Sequence, residues 1–280
     1  MRITESCAAC LYDKQAVLTD DEDYLKEIRK LLDERKQSDT SPYMVYLFDQ
    51  IHKRYFGKGA DHSEAKKKQN DLVLNMADLL RRQIEESEDP LAKALVMARI
   101  GNYIDLAAMA HVDKDEFLSL FADTRMRRED EEAYASFLDA CAEGKSFLLI
   151  CDNCGEIVLD KLFIEQLKKR FPQLAVEVLV RGEDVINDAT AADALYVGMN
   201  REAKIISNGA AVAGTIYEML PEEAKKALDE ADVILAKGQG NYESLSGQGR
   251  HIFYALLCKC DLFCDRFDVE KLTGIFVEES

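Results

Sequence analysis

The residues best placed for chemistry lie between 146 and 156, in Ser-Phe-Leu-Leu-Ile-Cys-Asp-Asn-Cys-Gly-Glu. Four apolar residues, Phe147 to Ile150, read as a buried strand, and a helical run follows from about Gly155 to Arg170. A short apolar run cut off by polar residues suits a central strand of a parallel sheet. Asp152 and Asn153 then fall at the strand's carboxyl end, where open α/β sheets bind ligands. A helix N-terminus beside them favours anions. A carboxylate next to an amide oxygen can hold a hard cation such as Mg2+ or Mn2+. A cation beside an anion-binding helix end suggests phosphate chemistry. The plainer alternative is that Asp152 and Asn153 only cap the helix.

The later strand ends carry residues of the same kind. Val176 to Val180 ends in Arg181-Gly-Glu-Asp, followed by Ile186-Asn-Asp-Ala-Thr190. Asp188 is a candidate third oxygen ligand, facing Asp152 across the strand ends; otherwise Asn187 or Asp188 caps a helix over 189–197. Lys204 to Ile206 ends in Ser207-Asn-Gly-Ala, and the small residues around Asn208 and Gly209 allow close approach to a ligand. Val233 to Leu235 ends in Ala236-Lys-Gly-Gln-Gly-Asn-Tyr-Glu243. A lysine beside two glycines can bind phosphate, the amides cradling its oxygens and Lys237 neutralising its charge. Strands serving only a core would not need polar residues at every carboxyl end.

These motifs need a scaffold. From Gly144 onward, apolar runs at 146–151, 175–181, 204–207, 233–236 and 251–257 alternate with helical stretches at 155–170, about 186–197 and 214–230. A last short strand is expected at Gly274-Ile-Phe-Val277. This alternation predicts an α/β fold, a three-layer, Rossmann-like, mostly parallel sheet. Residues 20–140 show helical spacing and no strand pattern. Leu25, Ile28, Leu31 and Leu32 fall on helical positions, and Pro90 opens a helix in the favoured first-turn position. Helices are also expected at 114–126 and 130–143. The reading is an all-helical domain over 1–143 joined to an α/β metal- and phosphate-binding domain over 144–280.

The net charge of −17, from 53 acidic and 36 basic residues, argues against nucleic acid or an anionic membrane as partner. It leaves room for a local basic pocket for a phosphorylated small molecule. No apolar run approaches a membrane span, and the first residues lack a signal-peptide core, so a cytoplasmic location is expected. Oligomeric state is not legible.

Eight cysteines are present. Cys7-Ala-Ala-Cys10 could pair with Cys258-Lys-Cys260 as a zinc clasp, which would suit a non-catalytic metal-binding protein. Cys151-Asp-Asn-Cys154 follows a strand and opens a helix, the placement of a thioredoxin-type redox pair. That reading lacks the accompanying proline and leaves Asp188, Lys237 and the later glycines unexplained. The dinucleotide glycine fingerprint, the P-loop and the Gly-x-Ser-x-Gly elbow are all missing. Asp152 is not followed two positions later by a second aspartate, and the four histidines show no metal-site spacing.

Taken together, these pieces resemble the DUF89 family, also called damage-control phosphatases or ARMT1-like proteins. The matching motifs are Cys7-Ala-Ala-Cys10, Gly101-Asn-Tyr-Ile-Asp105, Asp152-Asn-Cys-Gly-Glu-Ile-Val158, Ile186-Asn-Asp-Ala-Thr190, Ser207-Asn-Gly209 with Gly214-Thr215, Ala236-Lys-Gly-Gln-Gly-Asn-Tyr-Glu243, and Lys259-Cys260. The cysteine pieces point to the prokaryotic-type branch. The resemblance implies a phosphatase of small phosphorylated metabolites, such as sugar phosphates or phosphopantetheine derivatives. It implies a divalent metal ion, Mn2+, Co2+, Ni2+ or Mg2+, bound by Asp152, Asn153 and Asp188. Lys237 would contact phosphate, aided by Ser207, Asn208 and backbone near Gly209 and Gly238, while Asn102 and Glu243 would line the substrate side. This chain departs from the family pattern at Cys154, where a small residue is expected, at Asp61-His-Ser-Glu64, and in a terminal stretch unusually rich in thiols. The expected chemistry is attack on phosphorus by a metal-activated water, with Asp152 or Asp188 taking its proton. A covalent aspartyl intermediate is the open alternative.

Overall fold

The computed structural model describes residues 1, 3–57, 59, 61–101 and 125–280. Among them are six strands and twelve α-helices. The strands are β1 (Ser146–Ile150), β2 (Ala175–Val180), β3 (Lys204–Ser207), β4 (Val233–Lys237), β5 (Ile252–Leu257) and β6 (Gly274–Glu279). They form one sheet in the order β3-β2-β1-β4-β5-β6. All neighbours run parallel except β5 and β6, which pair antiparallel. All six expected strands are present. The strand order reverses direction between β1 and β4, which leaves a crevice beyond their carboxyl ends.

The sheet is covered on both faces because its central strands alternate large apolar residues. Phe147 and Leu149 of β1 join one cluster, and Leu148 and Ile150 join the other. The same split separates Val233 and Leu235 from Ile234 and Ala236 on β4. The first face is covered by α4 (Ser63–Leu74), α5 (Ala77–Glu85), α6 (Pro90–Ile100), α7 (Glu131–Glu143), α8 (Glu156–Arg170) and α9 (Ala191–Tyr196). The second is covered by α10 (Glu222–Glu230), α11 (Gly238–Leu245) and α12 (Asp261–Phe267). The division expected at 143/144 therefore runs through the largest core, where Leu80, Leu95 and Phe137 pack with Phe147 and Phe163.

A separate small core joins α1 (Glu5–Leu18), α2 (Glu22–Asp33) and α3 (Ser41–Phe56). In α2 the buried residues are Tyr24, Ile28 and Leu32, one stripe at four-residue spacing. Thr4, Asp21 and Thr40 cap the three N-termini through their side chains. This helical cap sits at the sheet's carboxyl edge, since a Cβ on Gly214 would meet both Pro42 of α3 and Gly240 of α11.

Two expected helices are shorter than the sequence reading. Residues 186–190 are taken up by bridges to other segments, so α9 begins only at Ala191. The stretch from 214 holds a single short turn, and the helix starts after Pro221. The helix expected at 114–126 lies largely outside the described residues. Among the described residues, no helix is long and apolar enough to cross a membrane.

Candidate active site

The chain leaves the sheet at the end of β1 and is caught by a later segment. Cys151 N still bonds Leu179 O of β2, but the Asp152 carbonyl accepts from Ala189 N at 2.8 Å. Asn153 and Asp188 form an antiparallel bridge, and Cys154 N donates to Asn187 O at 2.8 Å. Arg181 N donates to Ala189 O. Residues 187–189 are thus laced by backbone bonds between the ends of β1 and β2. That lacing brings Asp188 to Asp152 and Asn153, the juxtaposition the sequence suggested. All three side chains are mostly buried, with exposures of 8% for Asp152, 7% for Asn153 and 4% for Asp188.

Arg181 stands between the two carboxylates. Its Nε donates to Asp188 Oδ2 at 2.6 Å and its Nη2 to Asp152 Oδ1 at 3.4 Å. Its Nη1 donates to Gly214 O and to Asn241 Oδ1, both at 3.0 Å. Burial pushes the Asp188 carboxyl up to about 7; Arg181 opposes this and the neighbouring Asp152 adds to it. Asn241 of α11 completes the frame, donating to Cys151 O at 3.0 Å and Lys237 O at 2.7 Å. The sequence reading gave no role to Arg181 or Asn241. Their signal was present: an arginine closing an apolar strand, and an asparagine inside the motif at 236–243.

Gly238 brings α11 against this group. It has a φ of +77°, and a Cβ there would lie 1.9 Å from Asp152 Oδ2. Only glycine satisfies both the left-handed backbone and the close approach. Lys237, expected at the phosphate, instead turns inward. Its ammonium donates to Asp160 Oδ1 at 2.7 Å, Glu156 Oε1 at 2.5 Å and Ala98 O at 2.8 Å. An ammonium has three donors, and all three are taken. Burial alone would lower the Lys237 pKa, but the two carboxylates more than reverse that and keep it charged. Glu156 and Asp160 are themselves pushed up by burial, with Lys237 opposing.

The other expected residues are placed as follows. Asn208 Oδ1 accepts from Gly182 N at 2.7 Å and Ala210 N at 3.1 Å, while its Nδ2 donates to Gly214 O. It ties loops together. Ser207 Oγ accepts from Gly209 N. Glu243 lies further along α11, where burial pushes its carboxyl up to about 7, opposed by the N-terminal amine and a hydrogen bond with Ser41. It faces the helical cap. Asn102 lies outside the described residues, although its neighbour Gly101 packs on Glu156, whose Cγ a Cβ there would meet at 2.7 Å. Asn70 of α4 accepts from Gly155 N at 2.6 Å and holds the turn between β1 and α8.

The donor set fits a hard divalent cation. Asp152, Asn153 and Asp188 offer oxygen only, as Mg2+ and Mn2+ prefer. The charges beside Arg181 agree: two carboxylates, Asp152 and Asp188, face that one cation, an excess of one negative charge when both are ionised. The thiol readings fit less well. Cys151 and Cys154 are each 1% exposed. Burial pushes both thiols up, the opposite of what a redox thiolate needs. Among the described residues, which include Cys7, Cys10, Cys258 and Cys260, no three His, Cys, Asp or Glu side chains converge as a metal-holding group.

The chain is an α/β protein with a doubly wound sheet, and it gathers carboxylate, carboxamide and carboxylate at the switch point, the edge where such sheets bind ligands. Residues 3–273 match the family model of the damage-control phosphatase ARMT1-like domain. The chain belongs to that family. It is similar to a damage-control phosphatase of Archaeoglobus fulgidus, with 31% identity over 274 residues that cover 93% of each chain. A damage-control phosphatase of Pyrococcus horikoshii is 28% identical over 229 residues, covering 80% of this chain and 76% of that one. The crystal structure of a DUF89 family protein from Pyrococcus horikoshii shares the fold, with a TM-score of 0.83, 24% identity and 100% of both chains covered.

Proposed function

We propose that this chain is a metal-dependent phosphatase that hydrolyses phosphomonoesters of small, damaged metabolites, such as sugar phosphates or phosphopantetheine derivatives. The observation that carries the reading is the convergence of Asp152, Asn153 and Asp188 around Arg181 at the switch point. Family membership and the names of the two phosphatase relatives support it.

In this reading Asp152, Asn153 and Asp188 hold Mn2+, Co2+, Ni2+ or Mg2+. A divalent cation, when bound, polarises a phosphoryl oxygen and acidifies water. The chain's own residues do the rest. Arg181 holds both carboxylates in place before any ligand arrives and offsets their repulsion. The first turn of α11 starts at Gly238 beside Asp152, and the amides of a helix's first turn have no partner within the helix. A phosphate there is met by backbone donors near Gly238, with Gly209 on the adjoining loop. Lys237 acts one step back, neutralising Glu156 and Asp160 and fixing the start of α11. Direct attack by water is preferred to a covalent aspartyl intermediate. Each carboxylate accepts a guanidinium hydrogen bond, which draws off the electron density a nucleophile needs. Asp152 or Asp188 would take the water's proton.

The test is hydrolysis of p-nitrophenyl phosphate by EDTA-stripped protein, with Mg2+, Mn2+, Co2+ or Ni2+ added back singly. Turnover should return with at least one cation and stay absent in Asp152→Ala. No turnover with any cation, or full turnover in that variant, would overturn the reading.

A further inference from the structure

A cavity of about 390 Å³ lies between the helical cap and the loops at the carboxyl ends of β2 and β3. Tyr46, Gln50 and Lys53 of α3 form one wall, and Glu183 with Gly209 to Ala211 forms the other. Residues 46, 50 and 53 are four and three apart, so they share one face of the helix. The second wall is continuous with the carboxylate group. Gly182 donates to Asn208 Oδ1 and to Ala210 O, and it directly follows Arg181, which bonds both Asp188 and Asp152. A Cβ on Gly182 would lie 2.3 Å from Ala210 N, so the two loops meet backbone to backbone with nothing between them.

The lining is polar but offers little to an anion. Among the described lining residues Lys53 is the only cation, and its ammonium is already 2.7 Å from Asp49. Glu183 adds a second negative charge close enough to raise the Lys53 pKa further. The local balance, one positive against two negative, opposes a second phosphate. A phenol, a carboxamide and the backbone of Gly209 to Ala211 offer donors and acceptors suited to neutral hydroxyls. We infer that this face of α3 is the specificity surface for the alcohol half of the ester, and that it selects uncharged, hydroxylated leaving groups over those bearing a second phosphate. The inference rests on the phosphatase reading above.

The experiment compares kcat and KM for glucose 6-phosphate, glucose 1,6-bisphosphate and p-nitrophenyl phosphate under the best cation. The wild type should favour glucose 6-phosphate over the bisphosphate by about tenfold or more in kcat/KM. Glu183→Gln should narrow that ratio about fivefold by lowering KM for the bisphosphate. Gln50→Ala should raise KM for glucose 6-phosphate about tenfold with kcat held. p-Nitrophenyl phosphate, whose leaving group has no hydroxyls to place, should lose several-fold less in KM than glucose 6-phosphate in Gln50→Ala. Aryl turnover without a preference between the two glucose esters overturns the inference alone. So does a ratio that ignores Glu183→Gln, or an equal loss on all three substrates in Gln50→Ala. Absence of aryl turnover with every cation removes the phosphatase reading, and the inference falls with it.

Discussion

Two buried charge groups of the same composition sit side by side at the end of β1. One is Arg181 with Asp152 and Asp188; the other is Lys237 with Glu156 and Asp160. Each pairs one cation with two carboxylates. The first keeps a few per cent of its carboxylate surface open and adjoins Asn153 and the start of α11. The second is sealed, with Lys237 and Asp160 fully buried and every ammonium donor spent. Composition alone does not separate a ligand site from a structural brace. Access does: Glu156 Oε2 and Asp160 Oδ2 have no hydrogen-bond partner among the described residues, yet burial closes them to any ligand.

The sharpest way to test that contrast is to remove one member from each group. Asp188→Ala should cost about 10³-fold or more in turnover, with little change in the unfolding midpoint. Lys237→Met should do the reverse in kind, leaving two buried carboxylates unpaired and costing about 3–5 kcal/mol of stability by chemical denaturation. Adding Glu156→Gln and Asp160→Asn to Lys237→Met should restore most of that loss, since the unpaired charge is then gone. If the triple variant were as unstable as the single one, the brace assignment would fail.

A milder probe acts at the seam between the two groups. Gly238→Ala should cost about 1 kcal/mol for its left-handed backbone and about 10²-fold in turnover, because the new methyl displaces Asp152. An active, stable Gly238→Ala protein would mean that the contact with Asp152 is dispensable.

The smallest effect is expected at Glu243, outside both groups. Burial raises its carboxyl to about 7 in the folded chain, against an ordinary unfolded value near 4.3. The folded state then holds a proton that the unfolded state has released. Stability from this group is complete below the unfolded value and is lost as pH rises through the folded one. The melting temperature should therefore decline between about pH 5 and 8, and Glu243→Gln should flatten the decline by roughly 2–4 °C. An unchanged slope would place the titration elsewhere.

Much of this was legible in the sequence because the sheet is buried on both faces. Runs such as Phe147 to Ile150 and Ile252 to Leu257 are apolar throughout, and polar residues stop each run at its carboxyl end. Asp152, Asn153 and Asp188 stood out as hydrogen-bonding residues placed where a strand has no further use for them. Arg181 was harder, because its importance depends on residues 187–189 folding back along the end of β1, a tertiary event. Lys237 misled for a related reason. A lysine beside glycines suits phosphate, but its partners Glu156 and Asp160 lie 81 and 77 residues earlier. The one clue was two acids a single turn apart, Glu156 and Asp160, either side of the apolar Ile157 to Leu159. One apolar cluster spans the boundary expected at 143/144, and helical periodicity does not tell a free-standing bundle from a layer laid on a sheet.

The small separate core of α1 to α3 makes those helices an independent unit of packing. The helices that cover the sheet cannot be exchanged without uncovering Phe147, Leu149 and their neighbours. The cap carries its own apolar interior, and it lends α3 to the cavity beside the carboxylates. It is therefore the modular part of the molecule. Substitutions there can reshape the cavity wall without uncovering the sheet.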